Sequence, residues 1–446
     1  MWPYFDPEYE NLNQRINPPR VCIDDNSCPD CTLVKVDSMN KPGILLDVVQ
    51  VLSDLDLTIS KAYITSDGRW FMDVFHVTDQ QGRKLKDRKT IEYIEKALGP
   101  ESNILPTKGD AWLDKMVGMH LVGDHTAIEL IGSDRPGLLS EIFAVLQNLR
   151  CNVIAAEMWT HNTRVACVVY VNDSATSGAV NDSNRLSMIE QRLRYLLRGH
   201  GNDRKEVCTS FSIGSTHVDR RLHQLMFADR DYEDDSGERE KNTTLSFKPV
   251  ITIEPCEDKG YSVVNVKCMD RPKLLFDIVC TLTDMQFAVF HASVSSDGPY
   301  ALQELYIRQV NGCTLDSKAE MERVVKCLEA AILRRVSEGF SLELCGRDRV
   351  GLLSDITRVL REYGLSVTRA GVTTVGEQAM NVFYVSDASG NTVDMKTIEN
   401  LRREIGHTVM LNVRRVPSSP KVQAPEPSGW AKSNFSFGTL LEKFLP

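Results

Sequence analysis

Two stretches of this chain repeat one another: GSDRPGLLSEI from Gly132 to Ile142 and GRDRVGLLSDI from Gly346 to Ile356, with eight of eleven letters shared. Each combines a carboxylate, a glycine and the start of an apolar run. At a helix start the unpaired backbone N–H groups favour a carboxylate or phosphate, and glycine lets a ligand approach the main chain. With Asp134 and Asp348 as origins, two further segments align: SMNKPGILLDV with origin Asn40 and CMDRPKLLFDI with origin Asp270. Candidate ligand contacts are Asn40, Gly43 and Ile44; Asp134, Gly137 and Leu138; and Asp348, Gly351 and Leu352. The same residues would also serve simply to shape a tight turn into a helix, and both readings stay open here.

The repeats are not equivalent. Lys273 stands where the other three have glycine, and Val350 replaces proline in the fourth. A long side chain at the mouth of the cradle should crowd it, so the third turn is expected to bind most weakly. Other chemistry is thin. CPDC (Cys28 to Cys31) has no second C-x-x-C and no nearby histidine pair, so no metal ligand is assigned. GSTHVD (Gly214 to Asp219) lacks the spaced acidic pair that would hold magnesium, and no Ser-His-Asp order stands out. No catalytic residue and no cofactor are expected.

The elements that must position these turns follow from spacing. Counting from each origin, apolar residues recur at plus 4, 5, 8 and 12 (Ile44, Leu45, Val48 and Leu52 in the first repeat), one face of an amphipathic helix. Alanine occupies plus 22 in all four (Ala62, Ala156, Ala292, Ala370), within alternating strand segments, and reads as a packing spacer. A turn, a strand reaching His76, Tyr170, Tyr306 or Tyr384 at plus 36, and a second helix complete the unit. This predicts an α+β chain of four ferredoxin-like βαββαβ units. Their expected bounds are 34–111, 126–208, 261–336 and 340–417, with a linker over 209–246 and a tail over 418–446.

RVCID and PVITIE precede the first and third units at a constant offset, so those two should take their fourth strand from the front, near 20–24 and 249–254. VGMHLV (Val117 to Val122) could also fill that place in the first. Chain order then suggests two pairs, residues 20–213 and 247–417. The connector HVDRRLHQLMFADRDYEDDSGEREKN reads as a short amphipathic helix followed by an acidic linker.

The net charge of −9 and sequence pI of about 5.6 offer no field for nucleic acid. The amino terminus has no apolar signal segment, no run reaches the length of a membrane span, and twelve scattered cysteines suit reduced thiols. A cytoplasmic or nuclear location is expected.

The (N/D)-x-P-G-(I/L)-L turn with its hairpin resembles the ACT domain, and four copies joined by DRRLHQLMFADRDYE resemble the plant ACT-domain-repeat (ACR) proteins. The sensor end of bacterial uridylyltransferases is also similar. The resemblance implies a non-enzymatic sensor that binds a free amino acid, glutamine being the first to try, at ACT–ACT interfaces. Its readout would be a protein target of unknown identity, and a second copy of the chain is a further expected partner. Some ligand-binding ACT domains carry histidine two places before the origin; here those places hold Ser38, Gly132, Cys268 and Gly346. The alternative is a ligand-independent adaptor built on the same repeats.

Overall fold

The computed structural model describes residues 19–40, 43–66, 70–99, 125–198, 208–212, 217–233, 248–312, 315, 317–336, 339–387, 393–406 and 409–416. The first repeat comprises β1 (Arg20–Asp24), β2 (Thr32–Met39), α1 (Ile44–Asp54), β3 (Thr58–Ser66), β4 (Trp70–Thr78) and α2 (Arg88–Leu98). The second comprises β5 (Thr126–Ser133), α3 (Leu138–Asn148), β6 (Cys151–His161), β7 (Arg164–Asp173), α4 (Ser183–Arg198) and β8 (Cys208–Ser212). The connector helix α5 (Val218–Ala228) follows. The third repeat runs through β9 (Val250–Cys256), β10 (Tyr261–Met269), α6 (Leu274–Asp284), β11 (Phe287–Asp297), β12 (Tyr300–Gln309) and α7 (Lys318–Leu333). The fourth holds β13 (Gly339–Arg347), α8 (Leu352–Glu362), β14 (Leu365–Val375), β15 (Gln378–Asp387), α9 (Met395–Ile405) and β16 (Met410–Val416).

One frame governs the first helix of every repeat. Helices α1, α3, α6 and α8 each begin at plus 4 and run for 11 residues. Each is preceded by a left-handed residue at plus 3 and stopped by another at plus 16: Asp56, Arg150, Gln286 and Gly364, with φ between 53° and 68°. A left-handed residue just past a helix lets its last carbonyls be satisfied while the chain turns back into a strand. The plus-4, 5, 8 and 12 side chains face the sheets: Leu45, Val48 and Leu52 are buried, as are Leu274, Leu275, Ile278 and Leu282.

The strands form two eight-stranded antiparallel sheets, ordered β1-β2-β4-β3-β11-β12-β10-β9 and β16-β13-β15-β14-β6-β7-β5-β8. The front strands lie where expected. Val21 pairs with Val36 in β1–β2 and Ile251 with Val266 in β9–β10, whereas β8 and β16 close the even repeats from behind. Because β8 belongs to the second sheet, the linker starts after Ser212. Val117–Val122, the acidic stretch after Glu233 and the 418–446 tail lie outside the described residues.

The pairing of repeats differs from the expectation. The first sheet joins repeats one and three through β3 and β11, and the second joins two and four through β6 and β14. The chain accordingly divides into two compact units, which among the described residues are 19–99 with 248–332 and 125–233 with 333–416. Both joints use the same register: Val294 pairs with Ala62 and Ala292 with Ile64, as Val372 pairs with Ala156 and Ala370 with Met158. The plus-22 alanines sit on the core side of the joining strands, each fully or almost fully buried. There α1 packs on α6 and α3 on α8, and a larger side chain would push these helices off the sheet. The joining strands are nearly interchangeable, so chain order does not dictate the pairs. Instead like sorts with like: front-strand repeats share one sheet, and rear-strand repeats share the other.

Candidate functional site

The four turns are built alike. Gly43, Gly137 and Gly351 are left-handed, with φ of 86°, 83° and 86°, and Lys273 adopts the same region at φ 62°. The origin N–H of Asp134, Asp270 and Asp348 donates to the carbonyl at plus 29 (Thr163, Pro299 and Glu377) at 2.7, 2.8 and 2.7 Å. The origin side chains clasp the hairpin at plus 26: Asn40 Nδ2 donates to Ser66 Oγ at 2.6 Å, and Asp270 accepts from Ser296 Oγ at 2.8 Å. Asp348 accepts from Thr374 Oγ1 at 3.4 Å. Asn40 and Asp348 are thus partly occupied in shaping the turn. Burial pushes the Asp134 carboxyl up to about 6, against the opposing pull of the Arg135 backbone N–H and guanidinium.

Of the plus-4 residues, Leu138 and Leu352 bury their side chains, and their N–H groups donate back to Arg135 and Arg349 carbonyls at 3.1 Å. Ile44 packs against the core of its own sheet. The plus-7 N–H already donates to the plus-3 carbonyl in every repeat, so a ligand carboxylate would meet the N–H groups at plus 5 and plus 6.

An arginine at plus 1 braces three of the turns. Arg135 grips Glu141, with Nη1 at 3.0 Å from Oε1; Arg271 Nη1 lies 2.7 Å from Asp277, and Arg349 Nη2 lies 2.6 Å from Asp355. Arg271 Nη2 also donates to the Ile332 carbonyl at 2.8 Å, tying the turn to the end of the second helix. The shared letters DR in three repeats were the available signal.

What separates the turns is the residue at plus 13 of the paired repeat. A Cβ added at Gly137 would stand 2.5 Å from Arg361 Cδ, and one at Gly351 would stand 2.5 Å from Gln147 Nε2. In the second sheet, then, long side chains lie across both glycines. Among the described residues, nothing lies within 4 Å of a Cβ built on Gly43. In the first sheet the plus-13 residues are Ser53 and Thr283, both short.

At the third turn this shortness leaves a cavity. It is lined by Asp270, Lys273 and Leu274 from the turn, by Ser296 and Gln303 from the hairpin, and by Ser53 from the paired repeat. The volume open to a water centre is about 20 Å³, enough for a water but not an amino acid. The turn expected to be most crowded is thus the one beside an opening: Lys273 takes the left-handed backbone its glycine counterparts take, and the facing Ser53 is short. Gln303 is only 4% exposed, lines this cavity, and its Oε1 has no hydrogen-bond partner among the described residues. A buried amide oxygen is stabilised by a donor and costly without one.

Gln303 stands at plus 33, where the other repeats place Asp73, Cys167 and Asn381, all buried on the core side of their sheets. In each repeat plus 33 pairs with the residue four before the origin: Val36, Leu130, Val266 and Leu344. Burial raises the Asp73 carboxyl to about 7, opposed by the Thr65 N–H at 3.4 Å. A count of apolar residues passes over plus 33; a polar letter inside the apolar alternations WFMDVF, ALQELY and AMNVFY was its signal.

On the far face of the second sheet, α5 covers Trp159, Ala166 and Tyr170. Arg221 binds Glu129 through both oxygens at 2.7 and 2.8 Å, and Arg335 Nη2 lies 2.8 Å from Asp219, its guanidinium 4.4 Å above Trp159. Arg334 grips Asp231 at 2.7 and 2.6 Å with both side chains almost wholly buried. Burial alone would raise the Asp231 carboxyl, but Arg334 and His161 hold it well below the usual carboxylate range. The charged letters of the connector are thus structural: they fix a lid of helix to the sheet.

Comparison with known protein families finds the same four repeats. A family profile described as the ACR family N-terminal ACT domain matches residues 27–104, and ACT-domain profiles match 125–203, 262–329 and 340–403. The chain is 66% identical to "ACT domain-containing protein ACR3" of Arabidopsis thaliana, covering 100% of this chain and 99% of that one. It is 52% identical to "ACT domain-containing protein ACR4" of the same plant, over 98% of this chain and 95% of the relative. A "Bifunctional uridylyltransferase/uridylyl-removing enzyme" of Gluconobacter oxydans is 38% identical over 32% of this chain and 19% of its own length. Among solved structures, a putative glycine cleavage system transcriptional repressor aligns over 46% of this chain and 91% of its own, with 14% identity and a TM-score of 0.18.

Proposed function

The chain belongs to the ACR family of ACT-domain proteins, and from that premise we propose that it is a non-enzymatic regulatory sensor whose amino-acid ligand enters the joint between repeats one and three. The observation that carries this reading is Gln303, which lines the cavity at the third turn and whose buried Oε1 has no hydrogen-bond partner among the described residues. An ammonium or amide N–H of the ligand would supply the missing donor, and Asp270 would add an opposite charge to an ammonium. The ligand carboxylate would meet the N–H groups at the start of α6.

The cavity is smaller than an amino acid, so binding must part Ser53 from the third turn. Because α1 and α6 carry those residues and pack together, a ligand would favour a state in which the two helices are displaced. A protein partner that distinguishes the two states would read the signal. No described helix is long and apolar enough to cross a membrane. The adaptor alternative draws on a different observation, the open face of the first sheet, where Tyr63 and Met72 are exposed.

Thermal stability of the full chain with each of the twenty amino acids, glutamine first, tests the reading. A ligand at about one hundred times its dissociation constant should add roughly 2.7 kcal/mol. Ser53→Arg, which fills the cavity, should abolish that gain, and Gln303→Met should cut it. Retention of the gain in Ser53→Arg together with its loss in Gly137→Ala would move the site to the second sheet. No gain with any amino acid would leave the adaptor.

A further inference from the structure

Cys28 and Cys31 lack partners in sequence, but the fold brings one to them. Cys31 immediately precedes β2, and β2 pairs with β4 so that Leu33 stands opposite His76. With side chains alternating along a strand, Cys31, Leu33 and His76 share one face. Cys31 Sγ lies 3.1 Å from Cys28 Sγ and 3.4 Å from His76 Nδ1, and the three ligand atoms all lie within 4.8 Å of one another. Both thiols are free. Cys31 is buried, whereas Cys28 and His76 are half-buried, so an ion has a way in.

The separations fit a tetrahedral soft-metal site. With Zn–S near 2.3 Å and Zn–N near 2.0–2.1 Å, a sulfur and a nitrogen on one zinc stand about 3.5 Å apart and two sulfurs about 3.8 Å. The observed sulfur–nitrogen distance already matches. The two sulfurs must part by less than 1 Å, which a rotation of Cys28 in its loop can supply. Two thiolates and an imidazole select zinc over calcium or magnesium.

We propose that Cys28, Cys31 and His76 bind one zinc-class divalent ion, with the fourth position taken by water. Such an ion ties the loop between the front strand β1 and β2 to the neighbouring strand β4. It leaves the ligand cavity at the third turn untouched, so this proposal and the sensor reading can fail separately.

The test is cobalt titration of the reduced, chelator-stripped full chain. One equivalent of Co²⁺ should bind with a thiolate-to-metal charge-transfer band and be displaced by one equivalent of Zn²⁺. Cys28→Ser should remove about half of that band, and both Cys28→Ser and His76→Gln should weaken Zn²⁺ binding by at least about tenfold. Cys28 lies in a partly exposed loop, so its variant should melt like the metal-free wild type. Absence of saturable cobalt binding by the reduced protein would overturn the proposal. So would binding that survives His76→Gln unchanged, since other thiols would then hold the metal.

Discussion

The two sheets share one register, one helix frame and one way of joining, yet they treat their second faces differently. In the first, burial alternates along β4, β9, β10 and β12, with Phe75, Val264 and Leu305 inside and Met72, Val250 and Leu302 in solvent. In the second, β5, β7 and β13 are buried on both faces for most of their length. The same split unit can therefore be half-exposed or wholly interior, according to what its outward residues carry. Outward Trp159, Ala166 and Tyr170 require a lid, and the lid requires its arginines to be paired. Outward Lys61, Lys35 and Arg308 require no lid, and Lys35 meets Asp24 at 2.9 Å in partly exposed surroundings.

The largest test of this contrast asks whether the repeats are interleaved at all. A protease site placed within 236–246 would yield fragments that each contribute half of both sheets. They should co-elute under native conditions and separate only in denaturant. Two fragments that part without denaturant would restore the pairing by chain order.

Next in size is the lid. Asp231→Ala leaves Arg334 charged and buried without its carboxylate, which should cost about 3–5 kcal/mol and expose Trp159 to water, seen as a red-shifted emission. Adding Arg334→Met should recover much of the loss, because the unpaired charge is then gone. A loss under about 1 kcal/mol in the single variant would mean the second sheet does not depend on its lid.

On the first sheet the expected change has the opposite sign and depends on pH. Asp73 titrates near 7 in the folded protein and near 3.9 in the unfolded chain. Between those values the folded state holds a proton the unfolded state has lost, so the Asp73 contribution to stability falls as pH rises from about 4 to about 7 and is level above. Asp73→Asn should remove that fall, gaining up to roughly 4 kcal/mol over wild type at about pH 8 relative to about pH 4. Parallel stability curves for the two proteins would show that Asp73 does not take up this proton.

Smallest is the open face. Tyr63 is 49% exposed, and Tyr63→Ser should change stability by no more than about 0.5 kcal/mol in urea denaturation. A loss several times larger would mean that this face is covered in solution.

Much of the frame was legible. The apolar spacing from each origin marks the first helix of every repeat, and the offset between RVCID and PVITIE places both front strands. The plus-22 alanines read as spacers and lie at the joints. The plus-1 arginines were in plain view but look like surface charge until the plus-7 carboxylates and the Ile332 carbonyl come within reach. The connector reads as a helix, yet not as a lid, since Asp231 and Arg334 are more than one hundred residues apart.

Periodicity along the chain by itself determined the unit, its helix frame and its turns, because those depend on contacts between residues a few places apart. Partnership depends on contacts with no sequence distance attached. Four joining strands of one register could pair in several ways, and only packing decides which plus-13 side chain lies over which turn. The same holds for His76, set 45 residues from Cys31 in the chain and 3.4 Å from it in space. It holds too for Gln303, whose Oε1, without a donor among the described residues, is buried only when the chain closes around it.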